Sequence, residues 1–246
     1  MMGHRLLMAA SNLGLTYVET VLQDKPVAFW QLNETSGTVA KDSSGNGNNG
    51  TYAQDFSLGQ PPLASGLPVC VQITSTAGFI AGPSSPVNLP VGNSPYTLEC
   101  WASSLEPESY YTSTGAPLLG FGGYGTDYAV NALKFMANSA NNGNGFTNYW
   151  WAEDLGPTET CNQNTTYYIA ATFDGTTRRL YVNGTLIASD NPTNHNVTTA
   201  SNLTIGSPNS SQNTTQSLVG YVSNVAIYNT ALSAARIQAH YNAGIS

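Results

Sequence analysis

Aromatic and acidic side chains are concentrated between residues 146 and 154, in a combination that is typical of sugar-binding sites. Aromatic rings stack on the apolar faces of sugars, and carboxylates accept hydrogen bonds from sugar hydroxyls. The segment contains Phe146, Tyr149, Trp150, Trp151, Glu153 and Asp154, and a smaller cluster of the same kind contains Tyr124, Asp127 and Tyr128. We predict that carbohydrate is bound by Tyr149, Trp150, Trp151 and Asp154. Because adjacent side chains on a strand point to opposite faces, one of the two tryptophans must face inward.

The acidic residues do not form the pair that glycoside hydrolysis requires. Glycosidases place two carboxyl groups at a defined separation across the bond that they cleave. Glu106 and Glu108 lie in a proline-bearing loop, and the adjacent Glu153 and Asp154 point apart. The histidines His4, His195 and His240 fall in a tail, a loop and a terminal helix, so they indicate no Ser-His-Asp arrangement. We therefore predict that the protein is not an enzyme.

Charge excludes two classes of partner. The 246-residue chain has a net charge of -7, only 9% of its residues are charged, and its seven lysines and arginines form no run. Nucleic-acid binding needs basic residues that neutralise phosphates, and binding to anionic membranes needs a basic segment. We expect neither partner, and no stretch approaches the ~20 apolar residues of a membrane span.

The three cysteines match no metal-binding spacing. Cys100 alternates with Leu98 and Ala102 along a strand-like run, which indicates a buried, inert thiol. A disulfide between Cys70 and Cys161 is compatible with the sequence, but nothing in the sequence requires it.

The pattern of the remaining chain is that of an all-β protein. Residues 167–188 contain three strand-like runs that are separated by Asp174-Gly175 and Asn183-Gly184, which are strong hairpin signals. They predict a three-stranded antiparallel meander. A short helix is predicted near residues 233–242, with Ser233 as its N-cap.

The N-terminal segment is predicted to be separate from the main domain. We divide the chain into an arm of residues 1–24, which contains a short amphipathic element, and one β-sandwich domain of residues 25–246. The apolar side chains of Leu6, Leu7 and Leu15 in the arm are predicted to bind a partner subunit.

Four segments, taken in order, resemble the laminin-G-like, concanavalin A-like β-sandwich family. They are PVAFWQLNE at 26–34 followed by DSSGNGNNGTY at 42–52, YTLECW at 96–101, the FDG and LYVNG elements at 173–175 and 180–184, and GYVSNVAIYN at 220–229. The resemblance implies a jelly-roll sandwich of two antiparallel sheets, one concave and one convex. It also implies that the aromatic clusters lie between middle strands, where the concave face is assembled. The Glu-x-Asp-x-x-Glu strand of the family's hydrolytic members is absent from this sequence.

The resemblance further implies a structural Ca²⁺ beside the Asn/Gly loop. Ca²⁺ takes six to eight oxygen ligands, which we assign to Asp42, Asn46, Asn48 and loop carbonyls. The acidic pair that relatives carry in the last strand is replaced here by Ser223-Asn224. The alternative is a loop that is held by its own side-chain hydrogen bonds, without a metal.

Function is predicted on these grounds to be binding or assembly. We expect a non-catalytic virion-surface protein, a capsid-decoration or tail-associated component of a bacteriophage, because the chain begins at a methionine without an export signal and its surface is poor in charge. Its partners would be other virion proteins or further copies of itself, together with a host-surface glycan. The alternatives are an extracellular carbohydrate-binding module and, third, a polysaccharide-active enzyme.

Overall fold

Two antiparallel sheets make up most of the protein. The computed structural model describes residues 14–111, 115–139, 143–156, 160–197, 199–201, 203–207 and 217–246. In spatial order the eight-stranded sheet contains β13 (Thr185–Asp190), β12 (Arg178–Val182), β11 (Thr166–Phe173), β7 (Tyr96–Ser104), β15 (Gly220–Tyr228), β5 (Cys70–Ile73) and β4 (Phe56–Gln60), and β1 (Ala28–Trp30) also pairs with β15.

The seven-stranded sheet contains, again in spatial order, β10 (Gly143–Tyr149), β9 (Val130–Ser139), β8 (Ala116–Gly122), β14 (Thr204–Ile205), β6 (Phe79–Ala81), β3 (Gly50–Gln54) and β2 (Val39–Ala40). A single turn of 3-10 helix spans Glu108–Tyr110. The main hydrophobic core lies between the sheets, where Leu98 and Ile169 of one sheet and Leu119 and Leu133 of the other are fully buried. The predicted all-β sandwich is confirmed.

The predicted meander is formed by β11, β12 and β13. Ile169 pairs with Val182 across the first hairpin, and Leu180 pairs with Ala188 across the second. Asn183 and Gly184 both have positive φ, of 50° and 78°, as a two-residue turn between twisted strands requires.

All three cysteines are buried. None of them forms a disulfide, so the pairing of Cys70 with Cys161 that the sequence left open is not made. The predicted burial of Cys100 is confirmed, and burial raises the pKa of its thiol above the ordinary value.

Two helices cover part of the outer face of the eight-stranded sheet. Helix α1 (Tyr17–Gln23) begins with a capping box between Thr16 and Glu19, and α2 (Ala234–Ile245) begins at the predicted N-cap Ser233. The two helices and the sheet enclose a second, smaller hydrophobic core, whose buried members include Tyr17, Trp101, Tyr168, Tyr228 and Ile237. No helix in the described part of the chain combines the length and apolar composition that a bilayer span needs.

The second half of the predicted N-terminal arm therefore packs on the sandwich. Tyr17 and Val21 of α1 are buried in the smaller core. Leu15 is 48% exposed, so its predicted contact with a partner stays a prediction. Leu6 and Leu7 lie outside the described residues.

A buried hydrogen-bonded chain fastens both helices to the sheet. The Glu99 carboxylate of β7 accepts hydrogen bonds from the Tyr168 hydroxyl at 2.5 Å and the Tyr228 hydroxyl at 2.9 Å. His240 of α2 lies between two carboxylates, with Nδ1 2.9 Å from Glu99 and Nε2 2.8 Å from Asp24. Arg236 also donates to Asp24, at 2.7 Å.

These carboxylates control the titration of His240. Burial by itself lowers the pKa of the imidazole, but Glu99 and Asp24 outweigh it, and the pKa is raised above 6.5. The protonated ring donates one N–H to each carboxylate, so the imidazolium is the form that the folded protein stabilises.

We predict that stability falls on the alkaline side because of His240. Its folded-state pKa lies above its unfolded value, so the stabilisation is complete below about pH 6.5 and is lost as the pH rises through the folded-state pKa. In that window the free energy of unfolding should fall by about 1.4 kcal/mol per pH unit. Urea unfolding of the wild type and His240→Gln across this range measures the effect. The variant should be less stable and should lack this slope; equal slopes in both proteins would contradict the assignment.

Candidate functional site

Three aromatic rings meet on the outer side of the seven-stranded sheet, opposite the helices. Trp151, just after β10, lies 6.0 Å from Tyr149 and 6.4 Å from Tyr124 of the β8–β9 loop, measured between ring centroids. We refer to Tyr124, Tyr149 and Trp151 as the aromatic cluster. Trp151 is 37% exposed, Tyr149 is half-buried and Tyr124 is nearly buried. The indole of Trp151 is therefore exposed to solvent and packs against the rings of Tyr149 and Tyr124.

The turn after β10 separates the two adjacent tryptophans. Asn148 and Leu155 exchange backbone hydrogen bonds of 2.9 and 3.0 Å, which close the turn. Inside it, the Asp154 carboxylate accepts a hydrogen bond from the backbone N–H of Trp150 at 2.8 Å. Trp151 has a positive φ of 79°. Thus the chain reverses at Trp151, and the two indoles lie in different environments.

The predicted contact of Trp150 with sugar is wrong. Its side chain is fully buried, its indole N–H donates to the Tyr96 hydroxyl at 3.1 Å, and its ring stacks on His195 at 3.8 Å. The Arg178 guanidinium lies 3.8 Å from the same ring. Phe146 is also buried in the main core. Alternation along β10 sends both side chains inward, so neither can present a stacking surface.

Lys134 is a buried amine beneath the aromatic cluster, and its role could not be predicted from the sequence. It lies on β9, with its Nζ 3.2 Å from the centroid of the Tyr149 ring. Burial lowers its pKa to about 7, although the Asp154 carboxylate acts in the opposite direction. Its neighbours Leu133 and Phe135 face the core, so alternation along β9 places Lys134 on the outer face of the sheet.

Asp154 contributes an electrostatic partner to this surface. Burial raises the pKa of its carboxyl, and the Trp150 backbone N–H, the Lys134 ammonium and the Arg178 guanidinium each act to lower it. Of the other predicted acids, Glu153 is exposed and accepts a hydrogen bond from Asn194 at 3.3 Å. Tyr149, Trp151, Asp154 and Lys134 thus combine an exposed ring with hydroxyl, carboxylate and amine groups.

The two clusters that the sequence separated are partly merged by the fold. Tyr124 joins Tyr149 and Trp151, whereas Asp127 is exposed and Tyr128 half-exposed elsewhere in the β8–β9 loop. Gly120 makes this possible, because a side chain there would overlap the Tyr124 hydroxyl.

The Asn/Gly loop uses its predicted metal ligands to hold itself in place. The buried Asp42 carboxylate accepts four hydrogen bonds, which come from the backbone N–H groups of Phe29, Ser44 and Asn48 and from the Ser44 hydroxyl, at 2.8–2.9 Å. The Asn48 amide bonds to the Val27 and Val87 backbone, and the Asn46 amide donates to the Val27 carbonyl.

This arrangement does not fit a Ca²⁺ ion. The acceptor positions of Asp42 are aimed at N–H and O–H donors, which would repel a cation, and the carbonyl of Val27 is already bonded to side-chain amides. Across the described residues, no three His, Cys, Asp or Glu side chains come together as a metal centre. The geometry agrees with the alternative of a metal-free loop.

Two stacked antiparallel sheets with few helices are the architecture of concanavalin A-like sandwich proteins. The sequence profile of the concanavalin A-like lectin/glucanases superfamily matches residues 76–238, about two thirds of the chain. The protein belongs to this superfamily. No curated protein shows significant sequence similarity to the chain.

Several solved structures share the fold at low sequence identity. Domain 4 of AbnA, an extracellular arabinanase of Geobacillus stearothermophilus in complex with arabinotriose, is 15% identical with a TM-score of 0.61, over 88% of this chain and 98% of that one. The binding domain of Paraclostridial Mosquitocidal Protein 1 is 13% identical with a TM-score of 0.64, and the match includes 90% of this chain and 52% of that one. A Trypanosoma rangeli sialidase is 20% identical with a TM-score of 0.59. The match includes 88% of this chain but only 32% of the sialidase, so this chain corresponds to about a third of that enzyme. These likenesses establish the fold alone.

We predict that calcium has no effect on the stability of the Asn/Gly loop. The melting temperature should be the same in Ca²⁺ and in EDTA, because the side chains that would bind the ion are already bonded. Asp42→Ala should lower the free energy of unfolding by roughly 3 kcal/mol or more in both solutions, since three backbone N–H groups lose an ionised acceptor. A Ca²⁺-dependent rise in the melting temperature that Asp42→Ala abolishes would restore the metal site.

Proposed function

We propose that the protein is a non-catalytic carbohydrate-binding module that contacts glycan through the aromatic cluster. The observation that carries this proposal is the exposed indole of Trp151 beside Tyr149. A half-exposed tryptophan on a sandwich face is a stacking surface for a sugar ring. A ligand that covers the indole removes its apolar surface from water, and this burial favours binding.

Polar groups around the indole supply the hydrogen bonds that orient a sugar. The Tyr149 hydroxyl and the Asp154 carboxylate can accept from sugar hydroxyls, and Tyr149 is held in place by Lys134 beneath its ring. The likeness to an arabinanase domain in complex with arabinotriose supports a glycan as the ligand class, and it makes arabinotriose a reasonable first probe.

Binding is a better fit than hydrolysis for this surface. Asp154 is the carboxylate next to Lys134, and Glu153 is directed to Asn194 instead. A glycosidase needs two carboxyl groups that face one bond, so the pair Glu153 and Asp154 does not provide that geometry. The assignment as a non-enzyme is part of this proposal.

A virion-surface role, with other virion proteins or further copies of the chain as partners, stays a prediction, and so does the location on a virion or outside a cell. One structural observation favours an assembly contact, namely the exposed Leu15 directly before α1. The aromatic cluster lies on the opposite sheet, so glycan binding and assembly are compatible.

We predict that Trp151→Ala weakens glycan binding by one to two orders of magnitude while the fold is retained. The indole is the main stacking surface, and the loss of its contact with a sugar ring should cost roughly 2 kcal/mol of binding free energy. A glycan array that includes arabinotriose, followed by calorimetry on each hit, measures the effect. Tyr110→Ala is the matched control, because Tyr110 is an exposed aromatic residue outside the aromatic cluster. Equal binding by the wild type and Trp151→Ala would refute the proposal.

A second prediction concerns Lys134, whose burial is costly. Its folded-state pKa of about 7 lies below the unfolded value of about 10.4, so its charged form opposes folding, increasingly as the pH falls from about 10.4 to about 7. Lys134→Met should therefore raise the free energy of unfolding at neutral pH by roughly 1–3 kcal/mol. If Lys134 positions Tyr149 for a ligand, the same variant should bind glycan more weakly. A variant that is more stable and binds with unchanged affinity would give Lys134 no part in binding.

A further inference from the structure

The outer face of the eight-stranded sheet has an open cavity of about 360 Å³ where the helices end. Its floor is a row of three side chains on the central strands. Ser103 of β7 pairs directly with Thr166 of β11 on one side and with Tyr221 of β15 on the other. The three residues share the face that carries Trp101 and Glu99, two and four positions before Ser103 on β7, but α2 does not cover them.

The walls of this cavity come from two loops that are fixed by hydrogen bonds. One wall is the segment Pro61 to Leu63, which leads into a stretch bound to the end of α2, where the Gly66 N–H donates to the Gly244 carbonyl at 2.9 Å and the Ser65 hydroxyl donates to the Ile245 carbonyl at 2.8 Å. The other wall is formed by Leu105 and Asn164. The backbone N–H of Asn164 donates to the Ser104 carbonyl at 2.7 Å. The cavity is therefore preformed.

The polar groups that line the cavity are available to a ligand. Among the described residues, the side chains of Ser103, Asn164, Thr166 and Tyr221 make no hydrogen bond to the protein, and no charged side chain lines the cavity. Hydroxyl and amide groups both donate and accept, so the matching ligand is neutral and rich in groups that do the same. The rings of Pro61, Pro62 and Tyr221 add apolar surface beside them.

We propose that this cavity binds a neutral sugar residue, as a second site that is independent of the aromatic cluster. A sugar ring presents hydroxyls to the row of Ser103 and Thr166 and its apolar face to Tyr221 or the prolines, and the cavity volume lies in the lower part of the range for small-ligand sites. An extended peptide fits less well. Strands β7, β11 and β15 are paired on both sides, so no strand edge is open for backbone pairing.

The test is an NMR titration of the isotopically labelled full chain with galactose, glucose, mannose, xylose, N-acetylglucosamine and arabinotriose. We expect at least one of these sugars to shift the backbone amides of Ser103, Thr166 and Tyr221. The double variant Ser103→Ala with Thr166→Val should weaken that binding about fivefold for each hydroxyl removed. Tyr221→Phe, at a half-exposed position, removes one hydroxyl with less risk to folding and should weaken it about fivefold.

Trp151→Ala separates this site from the proposed function. The shifts at Ser103, Thr166 and Tyr221 should persist in Trp151→Ala with unchanged affinity, even if the aromatic cluster binds nothing. Three results would overturn the second site: no shift at these amides with any of the six sugars, full affinity in the folded double variant, or shifts that a proline-rich peptide produces and the sugars do not.

Discussion

The burial of one carboxylate determines how the two faces of the sandwich differ. Glu99 lies in the middle of β7, on the outer face of the eight-stranded sheet, and is fully shielded from water. An ionised carboxylate at such a position costs several kcal/mol unless it is paired and hydrogen-bonded. Tyr168 and Tyr228 supply two hydroxyls from the neighbouring strands, but the cation comes from His240 of α2. The sheet therefore needs its C-terminal helix in order to bury Glu99.

The same requirement extends to the N-terminal helix. His240 uses its second nitrogen on Asp24, and Arg236 connects Asp24 and the Thr20 carbonyl to α2. Gly244 allows α2 to approach Trp101 closely, since a side chain there would overlap the indole. Both helices are thus positioned over part of the sheet by polar contacts. The cavity above Ser103 is the part of this face that they leave open, and the face of the other sheet remains free for the aromatic cluster.

Local patterns allowed the prediction of the sandwich, the meander and the C-terminal helix, because each depends on neighbouring residues. Asp174-Gly175 and Asn183-Gly184 specify their turns, and Ser233 specifies a helix start. The link between Glu99 and His240 joins residues 141 positions apart. In sequence, Glu99 reads only as a polar residue in a strand and His240 only as a residue of a terminal helix, so their pairing could not be predicted.

The candidate site was predicted in part, and the errors have physical causes. Alternation showed that one of Trp150 and Trp151 faces inward, but which one depends on the register of β10 against the core, which places Phe146 and Trp150 on the inner face. That register is set by pairing with β9, which the local sequence does not specify. The family resemblance implied that Asp42 is a metal ligand, and the sequence offered no correction, because a carboxylate in an Asn/Gly loop has the same sequence whether it accepts N–H groups or binds a cation. The groups that surround the carboxylate in the folded protein decide between these roles. Around Asp42 they are mainly backbone N–H donors. Asp42 therefore serves the shape of its own loop, and the contacts that we propose for a glycan come from the aromatic cluster instead.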